Sequence, residues 1–305
     1  YTDNSDYVEG TSTPNFMFNQ FVRWDGSGWV YSPVKYWPNE VADRLSFFAY
    51  APHSLNGNVD VATGFDQNTA SAPVVEYTLA KDWANHVDLM WATPVMNKTN
   101  QAIAENVKFT FNHALSRIGF KAVAVIDEVN GDATGKEDTK DPHNTAVPNE
   151  TTITIDEIVL TGKFHQGGEM SLVNGEWITK NPADVETYTW GVDELINNPF
   201  VTNEKKVVVD NDHYLTVIPQ LEDGDKDLQI TVTYTVTTTD SRLAGGKSVV
   251  QSTVTSDAFD FTFEQGYAYN FVLHIGLTSV KFDADITPWD MLGEEDIVVN
   301  VPLND

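Results

Sequence analysis

Long runs of strict alternation constrain this chain more than any other feature. Tyr267, Tyr269, Phe271, Leu273, Ile275 and Leu277 place an apolar or aromatic residue at every second position, the period of a strand with one buried face. Parity then flips at Thr278-Ser279, and Val280, Phe282, Ala284 and Ile286 continue to Trp289. An earlier stretch behaves alike: Val107, Phe109 and Phe111 share one face, whereas Ile118, Phe120, Ala122 and Ala124 fall on the opposite parity. Because a one-residue slip sends every side chain to the other face, a bulge or tight turn is expected between Asn112 and Arg117. No helical periodicity of comparable length competes, so the chain reads as all-β, with two β-sandwich domains in series.

The length of 305 residues suits two domains, since a single core usually stops growing near ~250 to 300 residues. Asp127 to Glu150 is rich in acids, Gly and Pro and cannot bury enough apolar area to offset its ordering entropy. The expected division is therefore 1–147 and 148–305, with 127–150 serving either as a linker or as a long loop within one domain. Residues Tyr1 to Pro14 read as a mobile polar arm, and Phe16, Phe18, Phe21 and Val22 as the start of the first strand. The octet Leu45 to Pro52 reads as a core strand stopped by proline. In the second half, Ile153 and Ile155 shift phase to Ile158 and Leu160, Gly167-Gly168 reads as a turn, and Asn174-Gly175 is a strong two-residue hairpin signal. Asn181 to Pro199 is the only segment with helix start signals, Asn181 as cap and Pro182 at the first position.

A formal charge of −27 repels nucleic acid phosphates and anionic headgroups, which argues against any nucleic acid partner. No window approaches the ~18 to 20 uncharged apolar residues of a membrane span, so no transmembrane span is expected. With no cysteine, thiolate zinc sites, disulfides and a cysteine nucleophile are excluded within these residues. The motifs of common hydrolases, zincins and nucleotide-binding loops are missing. The seven histidines have no metal-ligand spacing, and His113 reads as a hydrogen-bonded packing residue. The acidic clusters lack the calcium-loop pattern and are only weak candidates for metal. Accordingly no catalytic residue, cofactor or metal is expected.

Two alternatives keep a ligand in view. Trp24, Trp29 and Trp37 can form a sugar-stacking platform, which would make the chain a carbohydrate-binding adhesin module. A β-sandwich glycoside hydrolase is the weaker alternative, because two of the forty-five acids can meet in space as a catalytic pair.

After Trp289 the pattern resets. A polar hinge, Gly293 to Asp296, leads to Ile297, Val299, Val301 and Leu303 alternating with Val298, Asn300, Pro302 and Asn304. The segment 296–305 is thus a terminal strand, either packed on its own domain or offered to a neighbouring subunit.

Several segments in serial order, Lys35 to Pro38, Leu45 to Pro52, Asp88 to Met90, Phe111 to Arg117, Ile153 to Leu160, Thr231 to Val236, Gly266 to Leu277 and Ile286 to Trp289, resemble the fimbrillin-like proteins of Bacteroidetes. The resemblance covers about Phe16 to Trp289. It implies a non-enzymatic pilus subunit with two transthyretin-like β-sandwich domains, exported as a lipoprotein to the outer membrane and cell surface. It further implies that an N-terminal strand is removed by an arginine-specific protease and that a neighbour's C-terminal segment fills the vacated groove. Ile297, Val299, Val301 and Leu303 are then the candidate donor strand. The implied partners are other pilus subunits, with a host or bacterial surface glycan or protein as an adhesion target. The chain departs from the pattern in having neither a lipid-bearing cysteine nor an arginine before Arg23, which places the anchor and the cleavage site upstream of Tyr1 if they exist.

Overall fold

The computed structural model describes residues 1–53, 59–62, 65–100, 106–125, 150–196, 198–199, 206–209, 212–220, 227–240, 243–276, 280–289 and 297–299. Within these the chain is all-β, built from several sheets and two short 3₁₀ turns. The expected acidic linker or loop lies outside the described residues apart from Glu150, which opens a strand.

The centre is a parallel ladder between Ser116–Val125 and Tyr267–Gly276, running from Arg117 opposite Ala268 to Val125 opposite Gly276. The hairpin partner Val280–Pro288 flanks it on one side, and Lys206–Val207 and Leu215–Val217 on the other. Facing this sheet is a second, ordered Ala183–Trp190, Glu150–His165, Gln229–Thr239, Lys247–Thr255. Their inner faces share one apolar cluster that includes Ile118, Phe120, Ile155, Ile158, Tyr234, Phe271 and Ile275. The alternation of Ile230, Val232, Tyr234 and Val236, all buried, between half-buried threonines is what a strand with one covered face requires.

Both parity changes have structural causes. At Thr278-Ser279 the two long strands on either side form an antiparallel pair, Ile275 opposite Val280, so the flip is a chain reversal. At Asn112 to Arg117 there is neither hairpin nor bulge: Phe111–His113 belongs to a sheet with Met90–Ala92 and Tyr50–Ala51, while Ser116–Val125 joins the central sheet. Ala114 and Leu115 between them are both fully buried, so the chain passes from one sheet to the other inside the protein. The phase shift at Ile155 is a bulge, since the register jumps from Ile155–Tyr234 to Glu157–Thr233. Asp156 is the extra residue, and its carboxylate accepts bonds from Thr235 Oγ1 at 2.7 Å and Gln251 Nε2 at 2.9 Å.

Four local expectations are corrected. Residues Ala183–Trp190 form a strand and not a helix; Tyr188 and Trp190 are buried while Thr187 and Thr189 face outward, so tertiary burial of two aromatics overrides the capping signal. The octet at Leu45 divides into Arg44–Phe47 and Tyr50–Ala51, which enter different sheets. The N-terminal arm is tied down, with Thr2 and Asp3 paired to Leu45 and Arg44, and the first strand of the aromatic region begins only at Val22. Gly167 and Gly168 lie inside a strand, Gly167–Ser171, that leaves the second sheet and pairs with Val74–Thr78. Asn174-Gly175 does form the hairpin, Gly175 having φ +74°. Ladders therefore join strands from both sides of position 147.

A Cβ on Gly168 would collide with the Thr179 carbonyl oxygen. Gly168→Ala is expected to lower unfolding free energy by about 1 to 3 kcal/mol through overpacking, measured by urea titration, whereas Gly28→Ala, which meets no atom, should change it by less than about 0.5 kcal/mol.

Candidate functional site

The site is a slot in a sheet of the first half. Trp29–Tyr31 pairs antiparallel with Val22–Trp24 on one side, and Val107–Phe109 lies further over. Between them runs Ile297–Val299, antiparallel to Val107–Phe109 with Val107 opposite Val299 and Phe109 opposite Ile297. Its other side is parallel to Trp29–Tyr31, with Val299 opposite Trp29. The tail thus supplies the strand that joins two elements not otherwise paired, and it packs neither on second-half strands nor away from the body. Val301 and Leu303, the remaining candidate donor residues, lie outside the described residues.

Without that strand, Val107–Phe109 and Trp29–Tyr31 would face each other with unpaired N–H and C=O groups, a costly arrangement away from water. Val107 and Phe109 are buried and Lys108 exposed, so the apolar side of this ladder points inward. Below it lies a cavity of about 370 Å³ bordered by Phe16, Val22, Trp29, Phe47, Phe109 and Phe111 among others. Phe47 is the hub of the surrounding rings, with centroids 6.2 Å from Phe16, 6.0 Å from Trp37 and 6.3 Å from Phe109. The core here is thin: only Trp37, Leu45, Ala92, Val107 and Phe109 are buried, while Phe16, Val22, Tyr31, Phe47 and Phe111 stay partly open. Beside this region, burial raises the Tyr31 phenol above its ordinary pKa.

The far end of this region is fixed by a polar junction. His113 Nδ1 meets Asp88 Oδ2 at 2.6 Å, and the His113 ring stacks on Trp289 with centroids 3.9 Å apart and planes 6° from parallel. The Arg117 guanidinium sits 3.4 Å above the Tyr214 ring and 5.7 Å from that of Trp289, both within cation–π range. Trp289 N–H donates to Gly266 carbonyl at 2.8 Å, and Gly266 N–H to Leu115 carbonyl at 3.0 Å. The expected packing role of His113 is what the geometry supports, since its ring stacks on Trp289 and its Nδ1 meets the Asp88 carboxylate. Sequence inspection names Asp88, Arg117 and Trp289 only as parts of separate motifs; their convergence has no local signal.

The tryptophan platform is not assembled. Trp37 is only 2% exposed and belongs to the core, where its ring packs edge-to-face against Phe47. Trp24 and Trp29 are cross-strand neighbours, with rings 5.9 Å apart at 67°, an edge-to-face pair and not a coplanar surface. Among the described residues no group of three His, Cys, Asp or Glu side chains is placed to hold a metal ion. Among the same residues no helix is long and apolar enough to cross a membrane.

A family model described as fimbrillin-like matches residues 2–289. The chain belongs to the fimbrillin-like family. The fimbrium subunit Fim1C of Phocaeicola vulgatus is 25% identical, over an alignment covering 96% of this chain and 80% of that protein. Among solved structures, a fimbrial protein from Bacteroides vulgatus superposes with a TM-score of 0.70 at 19% identity, covering 92% of this chain and 88% of the other. That superposition establishes the shared fold. In this fimbrillin-like chain the family segments carry the corner at Phe111 to Arg117 and the end of the last long strand at Trp289, so the match follows the junction and the central ladder.

Elsewhere in the structure His86 is held with Nδ1 3.0 Å from the Thr216 carbonyl and Nε2 3.0 Å from the Ala80 carbonyl. Burial holds its pKa below the ordinary histidine value, against the two carbonyls, which act to raise it. A folded-state pKa below the unfolded one means that the unfolded chain binds the extra proton first. Stability from this group is therefore present above about pH 6.5 and is lost as pH falls towards the folded pKa. Melting temperature is expected to drop between pH 7 and pH 5 and to drop less in His86→Gln. At the junction, His113→Ala should cost about 1 to 3 kcal/mol by stranding Asp88 and removing the ring stack, read by chemical denaturation.

Proposed function

We propose that this chain is a non-enzymatic structural subunit of a cell-surface fimbria that assembles by strand addition and supports adhesion. The observation that carries this reading is the position of Ile297–Val299 between Val107–Phe109 and Trp29–Tyr31. A slot in the first-half sheet is filled by a segment from the far end of the chain, which follows its own strands only after an interval of polar residues. What fills the slot from within one molecule can fill it from another, because the backbone groups and the apolar cavity are indifferent to which copy supplies the strand. Ile297, Val299, Val301 and Leu303 are the donor residues in this scheme, and Pro302 limits the ladder to its first part by removing a donor.

The fimbrial role is also supported by family membership and by the fimbrium subunit to which the chain is similar. A transthyretin-like arrangement of β-sandwich units belongs to the same proposal, as do a surface location, outer-membrane association and partner subunits of the same kind. The burial of Trp37 weighs against a tryptophan-based glycan site, so adhesion in this scheme depends on other surfaces.

Deletion of Asp296–Asp305 tests the scheme. The expected product is a folded monomer with an open groove, unable to build ladders on native gels, whose melting temperature rises on adding a synthetic peptide of residues 296–305. Ladders that persist in the deleted protein, or a peptide without effect on a folded deletion variant, would rule out strand donation.

A further inference from the structure

The outer sheet Ala183–Trp190, Glu150–His165, Gln229–Thr239, Lys247–Thr255 has two edges, and they differ in charge. Ala183–Trp190 carries Asp184 and Glu186, side chains that discourage pairing with another strand. Lys247–Thr255 is nine residues long, and from Ser248 to Ser256 it has no charged side chain and no proline in a chain of net charge −27. Among the described residues this edge pairs with Gln229–Thr239 and with nothing on its other side. Val249 and Val250, on opposite faces, are 57% and 53% exposed.

The direction of the free backbone groups follows from the ladder. Ser256 N–H donates to Ile230 carbonyl at 2.9 Å, and Asp240 N–H to Gly246 carbonyl at 3.1 Å. Even-numbered positions therefore turn N–H and C=O towards Gln229–Thr239, and Lys247, Val249, Gln251, Thr253 and Thr255 turn theirs to the open edge.

We propose that this edge is a self-pairing surface through which two copies of the chain join antiparallel about a two-fold axis at Ser252, fusing their outer sheets. In that register the outward-facing backbone groups of Val249 meet those of the partner's Thr255, and Gln251 meets the partner's Thr253. On the opposite face Val250 meets the partner's Val254. Exposed Lys247 then lies opposite the partner's exposed Asp257, once at each end. A slip of two residues preserves the backbone pairing but separates both charge pairs, so charge selects the register. A neutral edge is also where two strongly acidic molecules approach at least electrostatic cost. Neither the groove nor the C-terminal tail takes part, and the surface is independent of strand donation.

Sedimentation equilibrium on the full chain tests this. The wild type is expected to form a reversible dimer. Lys247→Glu or Asp257→Lys alone should weaken it about tenfold or more, since symmetry puts like charges at both ends. The double variant K247E/D257K should return to within about threefold of wild type. Thr253→Pro, which removes an N–H directed to the open edge, should abolish the dimer, with circular dichroism confirming the fold; if that variant does not fold, the charge-reversal set decides alone. The Asp296–Asp305 deletion should keep the dimer. A wild type that stays monomeric at the highest concentration, single reversals without effect, a double variant no better than the singles, a folded Thr253→Pro dimer, or loss of the dimer on tail deletion would each overturn the proposal.

Discussion

The parallel ladder between Ser116–Val125 and Tyr267–Gly276 is the constraint on which the other parts depend. Parallel partners cannot be joined by a tight turn, so the chain between them must travel out and return, and in doing so it builds the outer sheet that covers the ladder's inner face. Each residue of register on the ladder also sets where the neighbouring elements end. With Arg117 opposite Ala268, and Val280–Pro288 folding back along Tyr267–Gly276, Trp289 arrives against His113. A shift of one residue would turn Phe120 and Phe271 out of the core and detach that stack.

The consequences reach the candidate site through the corner at Ala114-Leu115. Arg44–Phe47 and Val107–Phe109, before the corner, belong to the thin aromatic core around Phe47, and Ser116–Val125, after it, to the thick core of the central sandwich, while the corner residues Ala114 and Leu115 enter a third cluster with Val75, Tyr77, Leu89 and Met170. The thick core is built mainly between its own two sheets and closed by Leu195, Val208, Val209 and Phe263 from the connecting segments. The thin one has a cavity and a sheet that needs a further strand, and the last long hairpin ends close enough to Phe111–His113 for the tail to reach Val107–Phe109. The ladder and outer sheet carry most of the packing, and the first-half sheet is completed by the chain's own Ile297–Val299. The outer sheet in turn presents one charged and one neutral edge, a difference that packing inside the sandwich does not require.

Much of this was legible from residue order. Strict alternation announced all-β architecture, both parity changes marked real discontinuities, the shift at Ile155 was a bulge, and Asn174-Gly175 formed its hairpin. The tail was recognisable as a separate strand because Gly293 to Asp296 interrupts the apolar pattern. Misreadings arose where local chemistry and tertiary burial disagree. Asn181-Pro182 looks like a helix start, but Tyr188 and Trp190 gain more from the core as a strand; Gly167-Gly168 looks like a turn, but it lets two backbones approach. Trp37 is followed by proline in a polar neighbourhood, and no local rule distinguishes a ring that closes a core from one that stacks on sugar.

The sequence by itself determined the secondary structure type, the places where strands change face, the identity of the family and the existence of a separate apolar strand at the tail. These are properties of short windows, in which side-chain period and turn chemistry act on their own neighbours. Tertiary structure alone decided that Ser116–Val125 and Tyr267–Gly276 run parallel, that Asp88, His113, Arg117 and Trp289 meet, and that Ile297–Val299 seats itself among first-half strands. Those outcomes depend on hydrogen-bond partners far apart along the chain, and a strand's alternation states which face is buried without stating whose edge will satisfy its backbone.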